Sequence, residues 1–338
     1  MIGGRSILVA LVAAALAWAY VATHRPGPSG GAPDAQVSVW SVPPDAIRAV
    51  VYRDGDRSVT ITPDWNADKD EPYLWVDTQA KQGESAAPPP TADRQGRQKL
   101  ERFKGNAVAR TTLTLLANLR GKRALGRAET LDLALYDLAD SRRYVELVFA
   151  DGREPWRLDF GRAALGNALR YVRARTNDTV YLVRENLVNG LSGDGRRLFD
   201  NQLFPFNPSA AERIEIEAGG RTHTLYQLST PDRPRLFWAA RPDAEEGDGK
   251  LTEIAMRLAR VQVETYAPRE QELPLAPQLE VRMFKAKDGK SESAWLKVFP
   301  GGDEMQLAVS AHTRFPVYVK QQVVTDLIAA LRKLPQSE

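Results

Sequence analysis

Cysteine is absent from all 338 residues. Disulfides, thiolate nucleophiles and cysteine-built metal sites are therefore excluded. Histidine is almost as scarce: there are three, His24, His223 and His312. No pair of them has metal-ligand spacing. His24 lies in a tether, and the other two read as ordinary strand or surface residues. A strong net charge is also missing. The formal charge is +3, and Arg5 and Arg25 are the only charged side chains before residue 26. The remainder is close to neutral, so no strong positive field gathers phosphates, and nucleic acid is not an expected partner. The basic spots Arg196-Arg197 and Arg120-Gly-Lys-Arg123 lack interleaved aromatics, which points the same way.

One uncharged apolar run is present. Residues 7–22 carry no charge and are rich in Ala, Leu and Val. The run is short against the roughly 20 residues of a full span, though Ser6 and Thr23 can extend it. Two readings stand. Ala17-Trp-Ala19 resembles a small-x-small cleavage site of a secretory signal. Trp18 and Tyr20 would instead suit the interface of an uncleaved anchor. Residues 24–36 then form a Pro/Gly/Ser stretch that can build neither a helix nor a central strand, and they read as a linker.

Beyond the linker the chain repeats a pattern. Residues 40–61 align without a gap on 204–225, a spacing of 164 from Trp40 to Phe204 and from Pro44 to Pro208. Residues 171–182 align on 308–319 at a spacing of 137, as from Thr176 to Thr313 and from Val180 to Val317. Trp75 matches Trp238, and Trp156 matches Trp295, so the tryptophans read as core residues needed once per copy. Asp54-Gly55 between apolar alternations predicts a hairpin. Further strands are expected at 73–76, 144–149, 156–160, 169–173 and 180–183, with a helix ending near Leu119. In the second copy, Leu251, Ile254, Ala255 and Leu258 give a helical stripe, and Val323, Val324, Leu327, Ile328 and Leu331 a final helix. The fold class is α+β: two related β-rich units, each an antiparallel or mixed sheet covered by one or two helices, after an N-terminal membrane segment. The expected organisation is membrane anchor or signal 1–23, linker 24–36, first repeat unit 37–195 and second repeat unit 196–334.

Motifs with chemical potential fail on inspection. Gly190-Leu-Ser-Gly-Asp-Gly195 misses the nucleophile elbow at Asp194 and follows a helix, whereas a phosphate loop precedes one. Asp64, Asn66, Asp68 and Asp70 resemble the start of a calcium loop. Its sixth and twelfth positions hold Lys69 and Trp75 in place of the required Gly and Glu. The acidic stretch 243–248 and the polar insert 79–99 read as solvated loops. No catalytic, cofactor-binding or metal-binding residue is assigned.

The unit Trp40-Ser-Val-Pro-Pro-Asp-Ala-Ile47, its hairpin, a Trp strand, a helix and Val180-Tyr-Leu-Val183 resembles the domain-of-unknown-function 4340 family, over residues 37–334. The resemblance implies a bacterial envelope protein with an N-terminal membrane segment and a possible accessory role beside a gliding-motility-type ABC transporter. It supplies no catalytic residues. The expected function is a membrane-tethered extracytoplasmic interaction module in the bacterial inner membrane, held through residues 7–22 and binding a protein partner. Two alternatives remain: an envelope ligand-binding protein with a cleft between the units, and a hydrolase using carboxylates such as Asp178 or Asp194.

Overall fold

A computed structural model of the chain describes residues 36–65, 71–80, 101–166, 168–193, 195–230, 233–268, 270–287, 290–302 and 304–334. The apolar run 7–22, the linker 24–35, most of the 79–99 insert, His24, Asn66, Asp68, Asp70 and Asp194 lie outside the described residues. Among the described residues no helix is long and apolar enough to cross a membrane.

The first half holds β1 (Val37–Ser38), β2 (Ile47–Asp54), β3 (Arg57–Asp64), β4 (Tyr73–Ala80) and β5 (Glu101–Gly105). These are followed by α1 (Ala107–Ala117), β6 (Arg120–Gly121), β7 (Arg123–Arg127), β8 (Arg143–Phe149) and β9 (Trp156–Ala163). Then come β10 (Leu169–Ala174), β11 (Thr179–Arg184) and the single-turn α2 (Asn186–Asn189). The second half holds β12 (Phe199–Asp200), β13 (Arg213–Ala218), β14 (Arg221–Thr230), β15 (Arg233–Ala239), α3 (Gly249–Leu258) and β16 (Thr265–Tyr266). It ends with β17 (Leu279–Lys287), β18 (Lys290–Phe299), β19 (Met305–Ser310), β20 (Val317–Lys320) and α4 (Gln321–Arg332).

These strands make three sheets. A ten-stranded sheet runs β12-β5-β4-β3-β2-β8-β9-β10-β11-β7, an eight-stranded sheet runs β15-β14-β13-β17-β18-β19-β20-β16, and β1 pairs with β6. Every ladder in them is antiparallel. An α+β fold built on antiparallel sheets is therefore present, and the mixed-sheet option falls away. Alternation explains the strands: in β8, Val145, Leu147 and Phe149 are buried on one face, while the residues between them are half-exposed. Gly55, at φ 60°, closes the β2–β3 hairpin in a conformation that glycine reaches without a Cβ clash.

Each large sheet has its own core. α1 covers the first with Leu113 and Leu116, and its start is fixed by Asn106, whose side chain accepts from the N–H groups of Val108 and Ala109. α3 and α4 cover the second. The four stripe residues Leu251, Ile254, Ala255 and Leu258 are all buried there, as are Val324, Leu327 and Leu331. Each buried leucine stabilises by roughly 1.5–3 kcal/mol through area removed from water.

Strand register relates the two sheets more sharply than the sequence does. Val50 faces Ile61, and Ile214 faces Leu225, so these hairpins keep the spacing of 164. Leu74 faces Pro63 where Trp238 faces Gln227, so the counterpart of Trp238 is Leu74 and not Trp75. Likewise Trp156 faces Leu147 where Ala294 faces Met283, so Trp295 has no tryptophan counterpart. Val172 faces Tyr181 and Ala308 faces Val317, which makes the later spacing 136 and not 137. The turn residues Asp178 (φ 52°) and Arg314 (φ 61°) obey the same spacing. A strand has period two, so a one-residue slip sends a side chain to the opposite face. Trp238 points into the second core. Trp75 points away from the first core, and Trp295 is 41% exposed. The reading of Trp295 as core is thus corrected.

Candidate functional site

β5 and β12 form one edge of the ten-stranded sheet, and there the two sheets meet. Register places Trp75, Lys104 and Asp200 in a row across β4, β5 and β12. A strand's side chains alternate, so all three share one face. That face meets the β19–β20 turn of the other sheet. The Ser310 hydroxyl accepts from the N–H groups of His312 and Thr313 at 3.2 and 3.1 Å, which fixes the turn and aims His312 at the row.

The His312 Nε2 lies 2.8 Å from Asp200 Oδ2, and the Lys104 Nζ lies 3.2 Å from the same oxygen. Lys104 Nζ also approaches His312 Nε2 at 2.7 Å and Nδ1 at 3.1 Å. A single ring nitrogen cannot both donate to Asp200 and accept from Lys104. We assign the tautomer in which Nε2–H donates to Asp200 and Nδ1 accepts from Lys104, since it satisfies all three groups. The side chains of Lys104, Asp200 and His312 are only 14–16% exposed.

A tyrosine pair lies beside this triad. The Tyr73 hydroxyl donates to the Thr313 carbonyl at 2.8 Å, so the Tyr266 hydroxyl, 3.1 Å away, donates to Tyr73. Trp75, Tyr266 and Phe315 fill the space between the sheets, with ring centroids 5.1 and 5.4 Å from Trp75. The Arg314 guanidinium sits 4.8 Å over the Tyr73 ring. Phe103 stacks on Phe199 at 4.2 Å, and Phe199 touches both cores.

The electrostatics follow from burial. Burial holds the Lys104 ammonium below its ordinary value, against the pull of the Asp200 carboxylate. Burial alone would raise Asp200, but the His312 hydrogen bond and the Lys104 charge outweigh it, and the net shift is downward. Burial pushes Tyr73 up to about 12, and it pushes Tyr266 up further, helped by Tyr73. Both tyrosines therefore stay protonated donors at neutral pH. His312 is engaged by Lys104 and Asp200, so the arrangement joins the two sheets.

His312 is thus not the ordinary residue its sequence context suggests. No local signal could have tied it to Lys104, 208 residues away. His223 is buried on β14 and shifted downward by burial and then by Arg221. Asp178 is bound to Arg173, and Asp64 lies 3.9 Å from Arg314. Asp248 caps α3. Gly195 (φ 76°) packs so close that a Cβ would meet Thr78 Cγ2 at 2.7 Å, so the chain makes a tight crossing at that residue.

Two grooves lie away from the junction. One of about 150 Å³, near the C-terminus of α1, is lined by Gln36, Leu115, Leu119, Arg120, Lys122 and Arg184 among others. Another of about 330 Å³ runs between α3 and α4, past Ile254, Arg257, Asp326 and Ala330. A family model described as a domain of unknown function, DUF4340, matches residues 105–280. That stretch includes Asp200 and Tyr266 but neither Tyr73 nor His312. No match to a curated protein or to a solved structure was found.

Proposed function

This chain belongs to the DUF4340 family, and from that premise we propose that it is a non-enzymatic interaction module tethered to the bacterial inner membrane. In this reading residues 7–22 anchor the chain, the duplicated sheets lie outside the cytoplasm, and the partner is another envelope protein. A gliding-motility-type ABC transporter is the first partner to test.

The observation that carries the reading is the loop before β17. Its sequence is Glu272-Leu-Pro-Leu-Ala-Pro277, and its leucines face solvent: Leu273 is 42% exposed and Leu275 fully so. Both ends of the loop are fixed. Gln271 N–H donates to the Pro268 carbonyl, its side-chain oxygen accepts from Tyr318, and Gln278 N–H donates to the Val298 carbonyl. An apolar segment with two prolines, presented from a rigid sheet, suits recognition of an extended segment by a partner. The filled junction lends no support to a ligand held between the sheets.

The test places a photo-crosslinking residue at position 275 of the full chain in cells. A discrete adduct with an envelope protein, lost in Leu273→Asp, supports the reading. The same adduct pattern from a control at Gln322, or none from position 275, sinks it.

A further inference from the structure

The corner where α1, β6 and the end of β11 meet combines features that no packing need explains. β1 pairs Val37 with Gly121 and Ser38 with Arg120, so the chain enters the fold at this corner. Gln36 lines the groove there, beside Leu115 and Lys122. Residues 24–35 are all that separate this corner from the apolar run 7–22 and its flank. Twelve residues span at most about 40 Å.

The corner is basic. Between residues 111 and 123 the chain carries Arg120, Lys122 and Arg123 and no acid. Arg184, at the end of β11, lines the same groove. The corner is also apolar in places where solvent would favour charge. α1 has one charged residue, Arg110, and turns Val108 and Leu115 outward at 45% and 38% exposure. A solvated helix carries charge on that side. Leu165, in the β9–β10 loop, is fully exposed. Register puts it at this same end: Leu169 pairs with Arg184, and Glu185 N–H donates to the Ala168 carbonyl.

We propose that this corner is a membrane-docking surface for anionic phospholipid, with Leu165 and the outward side of α1 entering the interface and Arg120, Lys122 and Arg184 meeting the headgroups. Exposed leucine ringed by basic side chains is the chemistry of interfacial binding. The inference rests on the anchored reading above and adds which face the anchored chain turns to the bilayer.

The absence of cysteine makes the test direct. Full-length chain carrying Leu165→Cys or Glu154→Cys, with Glu154 at the other end of β9, is labelled with a fluorophore. It is reconstituted into vesicles of phosphatidylcholine with or without phosphatidylglycerol, together with a lipid-borne quencher. Quenching is expected at position 165 and not at 154, only in the anionic vesicles, and reduced at least about threefold by 0.5 M salt. Arg120→Glu with Lys122→Glu should reduce it likewise; the salt series on the parent chain keeps the test valid if that variant folds poorly. Equal quenching in both vesicle types, or none at 165 in chain that resists alkaline extraction, overturns the docking surface and leaves the anchor standing. Release of the chain by alkaline extraction overturns the anchor reading and this inference with it. Self-quenching at 165 that rises with protein density and ignores lipid charge assigns the corner to a second copy instead.

Discussion

The Asp200 carboxylate accepts a hydrogen bond from His312 Nε2 at 2.8 Å, and the two residues come from different sheets. Lys104 completes the contact from beneath Asp200 on the neighbouring strand. Three polar side chains thus lie in a junction otherwise filled by aromatic rings. Taking one partner away leaves each of the others desolvated and short of one contact. Asp200→Asn should destabilise the chain by about 3 kcal/mol, since it strands the Lys104 ammonium. Lys104→Met combined with Asp200→Asn should recover a good part of that loss, because the stranded charge is gone. Urea denaturation of the three proteins checks this; equal midpoints for all three would show that the contact contributes nothing, and a double variant no more stable than Asp200→Asn that the stranded charge is not the cause.

Acid should remove the same contribution. Asp200 in the fold titrates below its ordinary value of 3.8, mainly because the His312 hydrogen bond and the Lys104 charge outweigh burial. Its stabilisation is fully present above the unfolded value and is lost as pH falls through the folded one. Below pH 5 the stability gap between the parent and Asp200→Asn should narrow as pH falls past 3.8. Other carboxylates titrate in both proteins and cancel in the difference. A gap that persists unchanged to pH 2 would place the effect in packing and not in charge.

The tyrosine pair gives the opposite sign. Tyr73 is raised by burial from 10 to about 12. A raised value stabilises fully below pH 10 and loses that contribution as pH climbs through the folded value. Tyr73→Phe removes the hydroxyl bonds to Thr313 and Tyr266, and it should cost about 1 kcal/mol at pH 8. The advantage of the parent should shrink between pH 10 and pH 12, as read by denaturation at each pH. Lys104 titrates in both proteins, so its own alkaline contribution does not enter the comparison.

Much of this fold was legible because its signals are local. The β2–β3 hairpin follows from Asp54-Gly55 between alternating apolar residues, and α3 from the buried stripe Leu251, Ile254, Ala255 and Leu258. The junction strands were not legible. β5 reads Glu-Arg-Phe-Lys-Gly, with one large apolar residue, and β12 has two residues. Neither has enough alternation to declare a strand, so the row that carries Lys104 and Asp200 had no local mark. His312 looked unremarkable for the same reason: its partners are set by the meeting of two sheets and not by its neighbours in sequence.

The tryptophans show how a correct repeat can misplace a residue, and they supply the sharpest mutational test. Matching Trp75 to Trp238 and Trp156 to Trp295 treats four indoles as equivalent. The ladders show that each match is off by one residue, which reverses the face. Trp238 is 5% exposed within the second core, whereas Trp295 faces solvent opposite Arg282. Trp238→Ala should cost about 3–5 kcal/mol by emptying a core site. Trp295→Ala should cost less than about 1 kcal/mol, since it removes an exposed ring. Trp75→Ala should separate from both. It opens the junction and leaves the first core intact, so it should also reduce the protection of the Thr313 and Phe315 amides from hydrogen exchange while that of Val145 and Leu147 holds. Thermal melts and exchange read together distinguish the three positions. Equal losses from Trp238→Ala and Trp295→Ala would show that the register drawn from the ladders is wrong and the sequence alignment right.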